Sequence, residues 1–385
     1  MGKLGRMSIN FVFVLNFCQG ISTRAAHVIL VLYAVELGAQ PVAIGVLAAM
    51  FSLFPMLLAV PAGRLADRIG VHWLLVFGAA AAGCGMLLPY LFPTLLMVFV
   101  AAALIGLQVV NYNVCLQNLA GLLSNAQTRA RNFSNYSLVG SVGDLIGPLI
   151  AGFSIDLSGH GSSCLYVALF WLLPASMLLI RGNAVRGGAH AETHAAGSVR
   201  SLLAEPGLAR TLATSSMLVT GNSMFQFYVP VYARAVGLSA TAIGVIVAIN
   251  ASAQFLVQIV LPRLVARFKE RNVLAYTLYI AAGSLAALPF FDHAVILALI
   301  SMVFGLGMGC SAPVVNMLMF DNAPKGRSGE ALGLKITINH FTKMVTPIAF
   351  GTVGSAFGLS PMFWTNALML AAGGILSRPR PGDSR

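Results

Sequence analysis

Six ionisable side chains stand inside otherwise apolar stretches of this sequence: Arg24, His27, Asp144, Lys335, His340 and Lys343. In a hydrocarbon setting each charge costs about 3 kcal/mol or more on an insertion scale, so such residues mark substrate or ion pathways by default. Three fixed cations stand against one carboxylate, and two imidazoles add positive charge when protonated. A desolvated, net-positive set favours an organic anion. Arg24 offers a planar fork that clamps a carboxylate or phosphate in two places, whereas Lys343 acts as a point charge. Asp144 and His27 are the candidate proton carriers, since imidazole titrates near neutral pH and a carboxyl in a low-dielectric place is able to hold a proton. The alternative for Asp144 is a structural pair with Arg24 or Lys343.

Uncharged polar residues extend this set at helical spacing. Asn16, Gln19, Thr23 and His27 recur at intervals of three and four, as do Lys335, Asn339, Lys343 and Thr346. Gln108, Asn111, Tyr112 and Cys115 share a face, Asn222 and Gln226 another, and Asn250, Gln254 and Gln258 a third. A polar stripe on an apolar helix must avoid lipid, because unsatisfied polar groups there cost several kcal/mol. Facing stripes would enclose a wet cavity; the competing reading is hydrogen bonding between helices at ~1 kcal/mol per contact. The cavity reading assigns substrate binding to Arg24, His27, Gln108, Asn111, Asn222, Gln226, Asn339 and Lys343, and proton coupling to Asp144 and His27.

The elements that must carry these residues follow from composition. Of 385 residues, 58% are hydrophobic and 9% charged, against roughly 25% charged in a soluble domain. Most of the surface must therefore face lipid. Apolar runs long enough to cross a bilayer as helices succeed one another, at about 7–37, 40–62, 72–91, 94–122, 130–156, 163–181, 208–236, 240–262, 272–291, 294–319, 329–357 and 360–377. Twelve alternating spans with a cytoplasmic N-terminus place nearly all Lys and Arg on the cytoplasmic side, as topology rules require. The formal charge of +12 is then topogenic, and its dispersal over short loops argues against nucleic acid. The first span is expected to be retained rather than cleaved. Cys18, Cys84, Cys115, Cys164 and Cys310 show no metal or CxxC spacing.

The chain also repeats itself at an offset of 199 residues. "LYAVELGAQPVAIGVLAA" from Leu32 answers "VYARAVGLSATAIGVIVA" from Val231, "GRLADRIG" from Gly63 answers "PRLVARFK" from Pro262, and Pro148 and Gly152 answer Pro347 and Gly351. Asp144 and Lys343 are equivalent positions of opposite charge. Twelve spans thus divide into two parallel copies of six, 1–181 and 208–385. A pseudo-two-fold axis along the membrane normal relates such copies, with the substrate site between them near mid-membrane. The Gly/Ala-rich stretch 182–207 reads as a cytoplasmic linker; His190 and His194 within it have no further metal ligands nearby.

Gly63-Arg64-Leu65-Ala66-Asp67-Arg68-Ile69-Gly70 resembles the G-x-L-a-D-r-x-G signature of the major facilitator superfamily, and the resemblance extends over essentially the whole chain. It implies an all-α, twelve-helix integral membrane fold and a gating latch at Gly63, Asp67, Arg68 and Gly70. "GSVGDLIGPLIAG" (140–152) resembles that family's antiporter motif, with Ala151 in place of a glycine. Gly143, Gly147, Pro148 and Gly152 would supply its helix-packing face. The family's fourth-span arginine is missing. The resemblance implies a secondary active transporter working by alternating access. It is expected in the inner membrane of a bacterium, with both termini cytoplasmic, as a monomer, without cofactor or metal. A small organic anion coupled to protons is the expected solute, and export of neutral or cationic compounds by proton antiport is the alternative. No Walker A, HExxH or GxSxG pattern occurs, so neither ATP-driven pumping nor hydrolysis is expected. A transporter-fold sensor would usually add a soluble signalling segment, and the tail "SRPRPGDSR" is short.

Overall fold

A computed structural model describes residues 9–69, 71–123, 129–181, 202, 204–324 and 328–378, without side chains for 59–69 and some scattered positions. Its elements are α1 (Ile9–Glu36), α2 (Pro41–Ile69), α3 (Val71–Leu91), α4 (Leu95–Leu122), α5 (Arg129–Arg181), α6 (Pro206–Ala235), α7 (Ala240–Phe268) and α8 (Glu270–Ala287). A 3-10 turn (Leu288–Phe290), α9 (Ala294–Met308), α10 (Ser311–Asn322), α11 (Ser328–Phe357) and α12 (Leu359–Ser377) follow. No strand occurs among the described residues. By length and hydropathy, nine stretches among the described residues are able to cross a membrane. The long helices α6 and α11 fall outside that set, and they carry many of the Ser, Thr, Asn, Gln and Lys side chains of the second half. Phe77, Leu96 and Leu368 are 60%, 63% and 73% exposed, an apolar exterior suited to lipid rather than water.

The fifth and sixth spans are separate helices within α5, meeting at a kink where Gly159 leaves helical geometry (φ 77, ψ 170). One boundary differs from the sequence reading: the tenth span is interrupted, with α9 ending at Met308 and α10 starting at Ser311. There a Cβ on Gly309 would lie 2.5 Å from the Gln254 carbonyl of α7, so the backbones meet without a side chain between them. Gly159 has open space around its Cβ position, so its requirement is conformational only. Gly159→Ala should cost about 1–3 kcal/mol, measured as earlier thermal unfolding in detergent with no steric contribution.

The chain forms two compact units: Met1–Gln40, Val46–Glu192 and Leu238–Ala248 in the first; Pro41–Gly45, Thr193–Gly237 and Ile249–Arg385 in the second. In the first unit, α1 packs along α5, and α3 packs on both α4 and α5. Phe11, Leu15, Leu75, Tyr112 and Leu116 fill its core. In the second, α12 packs on α8 and α6, while α6 also packs on α11.

The 199-residue repeat has local counterparts in each unit. Gly38 (φ 80) and Gly237 (φ 86) occupy equivalent turns, as do Gly159 and Gly358 (φ 87). In the first unit Tyr33 Oη donates to the Pro89 carbonyl at 3.4 Å, and Asp156 accepts the N–H groups of Ala240 and Thr241 at 3.0 and 2.7 Å. In the second, Tyr232 Oη donates to the Phe291 carbonyl at 3.0 Å, and Ser355 Oγ accepts the Val42 N–H at 3.0 Å. Both acceptors satisfy orphan donors at a helix start, where a carboxylate also complements the helix dipole.

Candidate functional site

Small residues set the first unit's site. A Cβ on Gly143 would lie 2.9 Å from Gly20 Cα, and one on Gly147 would lie 2.7 Å from Arg24 Cβ and 2.8 Å from the Ile21 carbonyl. The glycine face of α5 therefore meets α1, and this close approach brings the two buried-stretch charges together. Arg24 Nε donates to Asp144 Oδ1 at 2.6 Å and Nη2 donates to Oδ2 at 3.3 Å. The side chains remain 38% and 41% exposed, so the pair opens onto an accessible volume. Gly152 and Pro148 face elsewhere, toward the first residues of α7: a Cβ on Gly152 would lie 2.9 Å from Thr241 Cα.

The other first-unit candidates have different surroundings. The His27 ring lies 4.0 Å from that of Phe51. Asn111 is buried, and Gln108 is wholly enclosed, with neither amide atom hydrogen-bonded. In this conformation neither amide is accessible to a solute. Gly63, Asp67 and Arg68 lie on α2, but their side chains, and all of Gly70, are outside the described residues, as is most of 182–207.

In the second unit a cavity of about 270 Å³ opens among α6, α7, α9, α10 and α11. Asn222, Gln254, Gln258, Lys335, Asn339 and Lys343 supply much of its polar lining, and among the described residues no carboxylate lines it. Asn339 Oδ1 accepts the Ser215 hydroxyl at 3.0 Å, which fixes the amide's orientation. Lys335 Nζ donates to Asn316 Oδ1. Thr346, one turn beyond Lys343, shares a hydrogen bond with Thr220 at 3.3 Å. Gln226 is half-buried and is not part of the cavity wall. His340 stands on α11 between Asn339 and Lys343, with its Nδ1 enclosed.

Two features escaped the sequence reading. His160, which is buried, pairs through Nδ1 with Glu36 at the end of α1, and its ring stacks on Tyr33 at 5.5 Å. Asp156 holds the start of α7, as described above. Neither has a local signal, since the partners are more than 80 residues away. The 199-residue register, which sets Asp156 against Ser355, is the signal that could have found the second.

The family model of the Major Facilitator Superfamily matches residues 12–341 and 212–385. The chain belongs to the Major Facilitator Superfamily. It is similar to an uncharacterized MFS-type transporter of Methanocaldococcus jannaschii, at 21% identity over 98% of each chain. It is also similar to the class H tetracycline resistance protein of Pasteurella multocida, at 24% identity over 85% of this chain and 82% of that protein. Among solved structures, a mutant of the peptide transporter POT in complex with sulfate superposes with a TM-score of 0.79 at 15% identity, covering 96% of this chain and 93% of that one. A mutant of the nucleoside transporter NupG gives 0.76 at 15% identity, over 96% and 98%. The structural likenesses establish the fold. This superfamily member is a multi-pass integral membrane transporter of small molecules and not an enzyme.

Proposed function

We propose that this transporter moves a small organic anion, coupled to protons, by alternating access between two halves, 1–181 and 208–385, joined by 182–207. The observation that carries this reading is the second-unit cavity, with Lys335 and Lys343 in its wall beside the amides of Asn222, Gln254 and Asn339. In a low-dielectric setting two ammonium groups beside orienting amides favour an anion strongly. Pockets of this size suit a small solute. Arg24, the clamp suggested by its residue type, is engaged by Asp144. That engagement supports anion recognition by the lysines and a coupling role for the Arg24–Asp144 pair: a proton on Asp144 would loosen its hold on Arg24. The setting proposed is a bacterial inner membrane, with both termini cytoplasmic and the protein a monomer.

A second reading, export of drug-like neutral or cationic compounds by proton antiport, is favoured by the resistance proteins among the relatives, including the multidrug resistance protein MdtG of Klebsiella pneumoniae at 26% identity over 82% of this chain and 78% of that protein. Counterflow in proteoliposomes separates the two. Labelled monocarboxylates, dicarboxylates and organophosphates should exchange and compete with one another, whereas tetracycline and cationic dyes should not. Exchange of cations alone would reject the anion reading, and exchange of none of these compounds would reject both readings.

A further inference from the structure

The two copies of the short loop motif differ in a way that transport does not explain. "GRLADRIG" (63–70) becomes "PRLVARFK" (262–269), so Ala266 stands where the first copy has Asp67, and Lys269 where it has Gly70. Both arginines are kept. Lys269 holds φ 61 and ψ 155, and it has positive φ where, among the described residues, every other such position is a glycine. This backbone region is visited almost only by glycine. A residue type that strains the turn is therefore present where glycine would relieve it, and that residue adds an exposed cation.

We propose that the α7–α8 turn is a binding site for the headgroup of an anionic glycerophospholipid. Arg263, Arg267, Lys269 and Arg271 fall within nine residues, with Glu270 the one acid among them. Arg263, Arg267 and Lys269 are exposed; Arg271 is half-buried and donates to Asn322 at 3.4 Å. Arg267 lies over the Phe268 ring at 5.5 Å, and Phe268 meets Tyr276 edge-on at 5.7 Å. Phe268 and Tyr276 are 37% and 49% exposed, and one turn beyond Tyr276 stands the exposed Ile280. Moving along the helices from the turn, the surface passes from cations to aromatics to aliphatic side chains. That order matches a phosphate, the interfacial zone and an acyl chain, where aromatic belts and basic clusters recognise lipid. A free phosphate ion would match only the first part, so the exposed apolar surface beside the cations selects a lipid over a soluble anion.

The test uses the full-length protein, delipidated in a neutral detergent and titrated with phosphatidylglycerol or with phosphatidylcholine of the same chains, with binding read by native mass spectrometry. The wild type should hold one phosphatidylglycerol at least tenfold more tightly than phosphatidylcholine. In Arg267→Gln/Lys269→Gly that preference should fall by about fivefold per cation removed. Lys269→Gly alone should unfold at the same or a higher temperature, because glycine relieves the turn, so weaker lipid binding cannot be put down to misfolding. Arg267→Lys/Lys269→Arg should keep the preference. Equal phosphatidylglycerol binding by the wild type and the double variant would overturn the proposal, as would a wild type indifferent to headgroup charge. Displacement of the lipid by millimolar inorganic phosphate would overturn the choice of a lipid occupant.

Discussion

Lys343→Gln should lower the affinity for an organic anion by about 10- to 150-fold, the equivalent of one charge-assisted hydrogen bond at about 1.5–3 kcal/mol. The glutamine keeps a polar end and most of the length, so the cavity remains formed. The loss should appear in the half-saturating concentration for counterflow, with the maximal exchange rate less affected, because the interaction is with bound solute. Lys335→Gln should act in the same direction, and it also removes the hydrogen bond that Lys335 donates to Asn316. Lys343→Arg should retain the charge and part of the affinity, limited by the different geometry of a planar fork. Unchanged affinity in Lys343→Gln would remove the anion site from this cavity and leave the drug-export reading as the better one.

Much of the architecture is visible in the residue pattern because a lipid exterior and a repeated chain both leave strong local signals. Apolar runs located most helices within a few residues, and the 199-residue register placed Gly38 with Gly237 and Gly159 with Gly358 at equivalent backbone turns. The cavity was partly legible for the same reason. Asn222, Asn339 and Lys343 stand out as polar positions on apolar helices, and they line one cavity. Periodicity identifies a face but not the face it meets. Asp144 was an equal candidate for Arg24 or Lys343 until the Gly143–Gly147 approach to α1 put it on Arg24. Gln108 has the same stripe signature as Asn222, yet it is enclosed rather than exposed to the cavity. The Glu36–His160 pair joins residues more than 120 positions apart. Interruption at Gly309 was also unreadable: a smooth apolar run broke where two backbones touch.

Asp144→Asn should abolish accumulation driven by a pH gradient while leaving exchange of solute intact. A one-unit gradient is worth about 1.4 kcal/mol per proton, so a one-proton mechanism should concentrate solute about tenfold in the wild type. In the variant the ratio should fall to one, because the asparagine has no proton to exchange. A purely structural pair predicts something different. Loss of the carboxylate would leave Arg24 without its bidentate partner, and stability, exchange and accumulation would all decline together. Arg24→Gln/Asp144→Asn separates the alternatives. Removing both charges relieves the unpaired guanidinium, so a structural pair predicts recovery of every activity along with the thermal unfolding temperature. A coupling carboxyl predicts that stability and counterflow recover while accumulation stays absent. Accumulation retained in Asp144→Asn would transfer coupling to another titratable group of the first unit, with His27 one turn from Arg24 on α1 the first to test.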